Sequence, residues 1–230
     1  MHPQNSPSLG TPARVSQTRR ASLQAMTGPV DPKETVEMRQ LREAEAAATT
    51  IAEARSRLTA DLRKAGVRQG CPLLVHTSLS AMGQVPGGAD TVIDALLDAI
   101  GPKGTLVIPT LSYLYTNADS PRFDVRSTPT NLGTIPETFR LRTGVARSMH
   151  PTHSCCAKGP QTPAILGEHR KDRSPVGANS PFRKVRDLQG QVAFLGVPFG
   201  QVCICKSWIS IDFLLEGDDF LLKTAELLTK

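Results

Sequence analysis

The chain has 230 residues, 39% hydrophobic, 21% charged and 4% aromatic, with a formal net charge of +6, a size that supports one sizeable buried core rather than two large domains. One Trp and so few aromatics argue against a base-stacking nucleic-acid platform, and no run approaches the roughly 18 consecutive apolar residues of a membrane span. Five cysteines, an odd number, without an apolar stretch near Met1 point to a reducing compartment rather than a disulfide framework, and the cytoplasm is the expected location.

Residues 1–30 hold four prolines, several Ser and Thr, Arg14, Arg19 and Arg20, and no acid. Such a mixture buries too little apolar surface to order itself, so a disordered tail is expected. The Arg and Ser bias also fits an organelle transit peptide, but no clear amphipathic stripe accompanies it, and the tail reading is preferred. Asp31-Pro32 followed by Glu34 reads as a helix start, and residues 35–65 are rich in Ala, Glu, Arg and Leu, giving one long helix or two short ones. From Pro72 the texture changes. Leu73, Leu74 and Val75 form a continuous apolar run, the pattern of a strand buried on both faces of a parallel sheet.

A glycine-bearing turn then leads into a helix with Val92, Ile93, Leu96, Leu97 and Ile100 on one side, stopped by Gly101 and Pro102, and residues 105–108 make the next strand. Thr134 and Glu137 have capping-box spacing, predicting a helix to Arg142 that closes at Gly144, with a strand over residues 145–148. Ser180-Pro181 starts a further helix ending at Gly190, and residues 191–197 read as another buried strand. Strands alternate with helices, so the expected class is α/β: a mixed, mainly parallel sheet flanked by helices. Residues 1–30 are the tail, 31–65 a helical extension, 66–198 the α/β domain and 199–230 a C-terminal segment of different texture.

Three constellations carry chemistry. The turn over residues 75–88 offers hydroxyls, small glycines and helix-start N–H groups, as a phosphate or pyrophosphate requires; an ordinary tight turn is the alternative. The segment Arg147-Ser148-Met149-His150-Pro151-Thr152-His153-Ser154 sets two histidines three apart just beyond a strand, where sites of open α/β sheets collect and where an imidazole can take a proton near pH 7. The third is cysteine: Cys155-Cys156, then Cys203 and Cys205. With His150 and His153 these supply enough soft ligands for zinc, but the spacing matches no recognised zinc pattern and buried free cysteine is a common core residue, so no metal is expected. A cysteine nucleophile paired with His153 is disfavoured, since adjacency in sequence does not bring thiolate to imidazole.

Residues 74–109, then the run 128–140 from Thr128 to Arg140, the histidine segment 147–154, and Ser180-Pro181-Phe182 with residues 192–197 together resemble the aminoglycoside N3-acetyltransferases in motif, order and spacing, over about residues 56–198. The resemblance implies acetyl-coenzyme A as co-substrate, held by Ser78, Leu79, Ser80, Val85, Gly87 and Gly88. It implies His153 as the base that takes a proton from an acceptor amine, with His150 as second candidate, and a backbone N–H of the first turn as oxyanion donor. The function it implies is acetylation of an amine of an aminoglycoside or similar amino compound, that is, antibiotic inactivation. The partner is then a small-molecule amine, with no nucleic acid or membrane and with a homodimer among the admissible assemblies.

From Ser56 onward 20 Lys and Arg face 15 Asp and Glu, a charge of +5 that suits anionic coenzyme A better than a polycationic acceptor; Asp119 and Asp124 are candidates to line the acceptor cleft. Two rival functions stand beside the enzyme: a catalytically impaired coenzyme A binding remnant, and a zinc-stabilised binding protein. The remnant is motivated by residues 198–208, which do not match the family segment bearing His, Asn, Thr and Glu after the last strand, and by the end at Lys230. Weak or no aminoglycoside acetylation is expected on that ground. Asp212 or Glu216 would have to orient the base histidine, and residues 209–215 and 220–228 are read as helices that patch the core.

Overall fold

A computed structural model describes residues 36–197 and 221–222. The tail, the helix start at Asp31-Pro32, Cys203, Cys205, Asp212, Glu216 and the helix proposed for residues 209–215 lie outside the described residues. The chain divides into two compact units, Met1–Ala46 and Ala47–Lys230. What is described of the first is the beginning of helix α1 (Val36–Lys64), where Val36, Met38 and Leu41 are exposed. The predicted helical stretch is thus one continuous helix.

In the second unit the elements follow as β1 (Pro72–Thr77), a 3-10 turn (Leu79–Met82), α2 (Gly88–Ile100), β2 (Thr105–Pro109), α3 (Thr134–Leu141), β3 (Ala146–Arg147), β4 (Cys155–Lys158), α4 (Thr162–Leu166), a 3-10 turn (His169–Lys171), α5 (Pro181–Asp187), β5 (Gln191–Leu195) and β6 (Leu221–Leu222). They form one six-stranded sheet in the order β3-β4-β2-β1-β5-β6. β1 pairs in parallel with β2 and β5, and β5 with β6, while β4 runs antiparallel to both β2 and β3. The mixed, mainly parallel sheet expected from sequence is what forms.

Its continuous apolar runs follow from burial on both faces. Alternate residues point to opposite sides. Leu73 and Val75 of β1, with Leu106 and Ile108 of β2, pack in one core with Ile93, Leu96 and Phe139 of α2 and α3. Leu74 and Val107 pack in a second with Ile165, Val185 and Phe194. Gly101 ends α2 as predicted, its N–H donating to the Leu97 carbonyl at 3.0 Å. Ser180 caps α5, accepting from the Arg183 N–H.

Four expectations change. The capping box does not form: Gly133 is the N-cap of α3, and the Glu137 carboxylate accepts instead from the Thr130 N–H (3.0 Å) and pairs with Arg140. The strand placed at residues 145–148 shrinks to two residues. Strand β4 was not anticipated, because four residues starting with two cysteines give too short a run to register as a strand. Within the helix proposed for residues 220–228, Leu221 and Leu222 form a strand instead, in register with Val192 and Ala193, so ladder pairing with β5 overrides the apolar period.

Candidate active site

The register puts the turn and the histidine loop at one end of the sheet. Leu74 of β1 sits level with Val107 of β2, and Pro109 at the end of β2 sits opposite Cys155 at the start of β4. Residues 78–88 leave from the carboxyl end of β1, and residues 148–154 enter β4 at that same end. β2 alone separates the two strands, so the two segments start two strand spacings apart, roughly 10 Å.

The histidine loop is shaped from within. His150 Nδ1 accepts from the N–H groups of His153 (3.0 Å) and Thr152 (3.4 Å), and the Ser174 backbone hydrogen-bonds the same ring. His150 is buried, and that burial lowers its pKa against the Ser174 contact and the charge of Asp172. With Nδ1 committed to folding the loop, His150 is a poor proton acceptor. His153 differs. Its Nδ1 lies 2.8 Å from Thr152 Oγ1, and its ring is half-buried, with its pKa lowered by burial first and by His150 second. A neutral imidazole with one nitrogen tethered is what a general base needs.

Neighbouring chain braces this loop. Ser112 donates its N–H to the Thr152 carbonyl (2.9 Å) and its hydroxyl to the Pro151 carbonyl (2.6 Å). Arg147 donates to Ser154 Oγ (2.9 Å) and to the carbonyls of Thr110 (2.9 Å) and Thr128, with its guanidinium over Phe123. A third histidine, His169, is wholly buried behind them, Nδ1 2.9 Å from Ser148 Oγ. Sequence reasoning missed His169, Thr152 as tether, and Tyr113, whose ring stacks on His153 at 6.2 Å. An isolated His in the run Glu168-His169-Arg170 carries no motif, and only the tertiary contact singles it out.

At the first turn Ser78 donates its N–H to the Leu195 carbonyl (2.8 Å), and its hydroxyl lies 3.3 Å from that of Ser80. Ser80 and Gly87 are exposed; Ser78, Leu79, Val85 and Gly88 are partly so. The Thr77 hydroxyl oxygen, at the end of β1, is buried without a partner among the described residues. Gly87 and Gly88 have φ of 73° and 60°; a Cβ on Gly87 would lie 2.2 Å from Thr91 Oγ1, whereas one on Gly88 would meet open space. Gly87 is therefore dictated by packing. Gly88 leaves the turn's surface bare.

Cys155 and Cys156 sit in β4 on opposite faces, in separate cores. Burial pushes the Cys156 thiol up to about 11 and the Cys155 thiol well above its ordinary range, so neither is a thiolate near neutrality. Among the described residues no three His, Cys, Asp or Glu side chains gather as metal ligands. Asp124 closes its own turn, accepting from the N–H groups of Arg126 and Ser127 at 2.7 Å. A cleft of about 960 Å³ opens between α1 and the end of α2, lined by Arg55, Thr59, Arg63, Gly101 and Lys158. It holds none of the histidines. No helix among the described residues is long and apolar enough to cross a membrane.

A family model for aminoglycoside 3-N-acetyltransferases matches residues 74–205. The chain belongs to the aminoglycoside 3-N-acetyltransferase family. The match runs past Pro198, where the sequence reading ended it. Among family members, aminoglycoside N(3)-acetyltransferase VIII of Streptomyces fradiae is 35% identical over 166 residues, covering 63% of this chain and 56% of the relative. The solved structure of AAC-IIIb as a binary complex with CoASH is 28% identical, covers 66% of this chain and 62% of that one, and superposes with a TM-score of 0.59. A histidine-to-alanine variant of AAC(3)-IVa in complex with a gentamicin is 34% identical, covering 64% and 55%, with a TM-score of 0.58. The chain spans little more than half the length of the first of these acetyltransferases.

Proposed function

We propose that this chain binds acetyl-coenzyme A at the turn over residues 78–88 and catalyses acetyl transfer to an amine of an aminoglycoside or similar amino compound. The observation that carries the reading is His153: half-exposed, tied at Nδ1 to Thr152, held neutral by burial, and at the same sheet end as the glycine turn. Bound acetyl-coenzyme A supplies a thioester carbonyl. Ser78, Leu79, Ser80, Val85, Gly87 and Gly88 hold it, and the unpartnered Thr77 hydroxyl and the bare surface at Gly88 fit such a ligand.

An acceptor amine is largely protonated at pH 7 and must shed a proton before it attacks. His153 accepts that proton at Nε2 when its Nδ1–H donates to Thr152 Oγ1. His150 holds the loop that aims His153. A backbone N–H of the first turn stabilises the negative charge that develops on the carbonyl oxygen; as the amide C–N bond forms the thioester C–S bond breaks, and coenzyme A leaves as the thiol with the proton that His153 took from the amine.

The test pairs a thermal shift with coenzyme A and an acetylation assay with gentamicin as acceptor. A rise in Tm with coenzyme A and turnover lost in His153→Ala support the reading, because a ligand that binds only the native state stabilises it. A shift without turnover identifies a coenzyme A binding remnant, and no shift overturns both.

A further inference from the structure

We propose that the cleft at the amino end of β2 is a ligand site of its own, one that takes a phosphorylated small organic molecule. The inference does not depend on the acetyl-transfer reading of the histidine loop.

The cleft lies within the second unit. The later turns of α1 line it with Arg55 and Arg63, and the end of α2 lines it with Asp98 and the glycine turn that follows. Lys158 and Gly159, at the end of β4, complete it. β2 runs from this turn toward the histidine loop, so the cleft and the loop stand a strand length apart, roughly 16 Å. At about 960 Å³ the space accommodates a nucleotide-sized ligand. Gly104 and Gly159 contribute bare backbone, because a Cβ on Gly159 would lie 2.3 Å from the Gly104 carbonyl oxygen.

The lining chooses the charge of the ligand. Arg55 occupies both oxygens of the Asp98 carboxylate, Nε at 2.5 Å and Nη2 at 2.7 Å. Arg63 and Lys158 form no ion pair among the described residues. Each donates to a carbonyl instead, Arg63 to that of Asp98 at 2.8 Å and Lys158 to that of Thr143 at 3.1 Å. By contrast Arg142, Lys171 and Lys184 each meet a carboxylate. The carbonyls that end α2 would repel an anion were they bare. They are covered: the Gly101 N–H donates to Leu97 at 3.0 Å, the Gly70 N–H to Ile100 at 2.8 Å, and Arg63 to Asp98. The cleft is thus left with a guanidinium and an ammonium that have donors to spare and no counter-charge. A phosphate, with a charge of roughly −2 and three acceptor oxygens, answers two cations on different elements better than the single charge of a carboxylate. Leu97 and Pro102 add apolar surface for the organic part.

The experiment titrates the isotope-labelled full chain with ADP, adenosine and inorganic phosphate and follows the backbone amide resonances. ADP is expected to shift the amides of Gly104 and Gly159, and adenosine to leave them in place. Inorganic phosphate should bind there about tenfold more weakly than ADP, because it lacks the organic contact. Lys158→Gln and Arg63→Gln should each weaken ADP by about tenfold, and Arg63→Lys, which keeps the charge, should stay within about threefold of wild type. Salt raised to about 0.5 M should weaken ADP as well. ADP shifts confined to Gly87 and Gly88 overturn the inference and place the nucleotide in the first turn. It is equally overturned if Gly104 and Gly159 do not respond, if inorganic phosphate binds as tightly as ADP, or if the ADP affinity is the same in Lys158→Gln and Arg63→Gln as in wild type.

Discussion

His169 stacks on His150, ring centroids 4.7 Å apart and planes inclined by 27°, with Nδ1 2.9 Å from Ser148 Oγ. Ser148 Oγ also accepts from the Cys155 N–H at 2.9 Å, so the start of β4, the loop and the buried ring form one connected unit. Replacing His169 by Ala removes the stack and leaves a void. A loss of about 2–4 kcal/mol is expected in urea unfolding. His169→Phe keeps the ring and should cost about 1 kcal/mol; equal losses from both would assign the stability to the Ser148 bond instead of the stack.

Stability should fall with acid before the carboxylates titrate. His76 and His169 are both pushed down to about 4, in each case by burial first. In the unfolded chain a histidine titrates near 6.5, so between those values the unfolded state binds more protons than the folded one. Their contribution is complete above pH 6.5 and is lost as pH drops toward 4, on the order of 3 kcal/mol for each. Urea midpoints measured from pH 7.5 to 4.5 should decline through this window. The double variant His76→Phe with His169→Phe should flatten the decline between pH 6.5 and 5.

Activity should separate the two loop histidines. His153→Ala is expected to lower turnover by roughly two to four orders of magnitude, the worth of a positioned base. His150→Ala should cost less in turnover and more in Tm, since its Nδ1 accepts two backbone N–H groups. The reverse ranking, from kinetics and melting on the same preparations, would move the base to His150.

The adjacent glycines of the turn make a paired test. A Cβ on Gly87 would collide with Thr91 Oγ1, and the backbone there is left-handed, so Gly87→Ala should destabilise the fold by about 2 kcal/mol or more. Gly88→Ala has open space and carries only the conformational cost, about 1 kcal/mol. A bulky residue at Gly88 should then weaken the coenzyme A thermal shift without unfolding the chain. An undiminished shift in Gly88→Trp would place the ligand elsewhere.

A surface tie gives a salt-dependent control. Arg142 of the α3 C-cap reaches Asp90 and Asp94 of α2, both at 2.5 Å. Arg142→Ala should cost about 1 kcal/mol at low ionic strength and less in 1 M salt, because these carboxylates are partly exposed and screened. A loss independent of salt would point to packing of the arginine stem.

The sequence by itself determined the parallel centre of the sheet and the helices between its strands, and it marked out the two loops proposed to form the site. The apolar runs of β1, β2 and β5, the Gly101 stop and the Ser180 cap are local signals, each written within a few residues. Only tertiary structure decided the rest. β4 exists because Cys155 and Cys156 find Pro109 and Ile108 across a ladder, and Leu221-Leu222 is extended because β5 offers an open edge. The family resemblance already ranked His153 ahead of His150; what the structure adds is which Nδ1 the backbone occupies, and the packing of His169 and Tyr113 against these rings rests on contacts made across 19 to 40 residues of chain. Periodicity encodes which face of an element is buried; it does not encode which distant side chain meets that face, because such pairings depend on how the whole sheet closes.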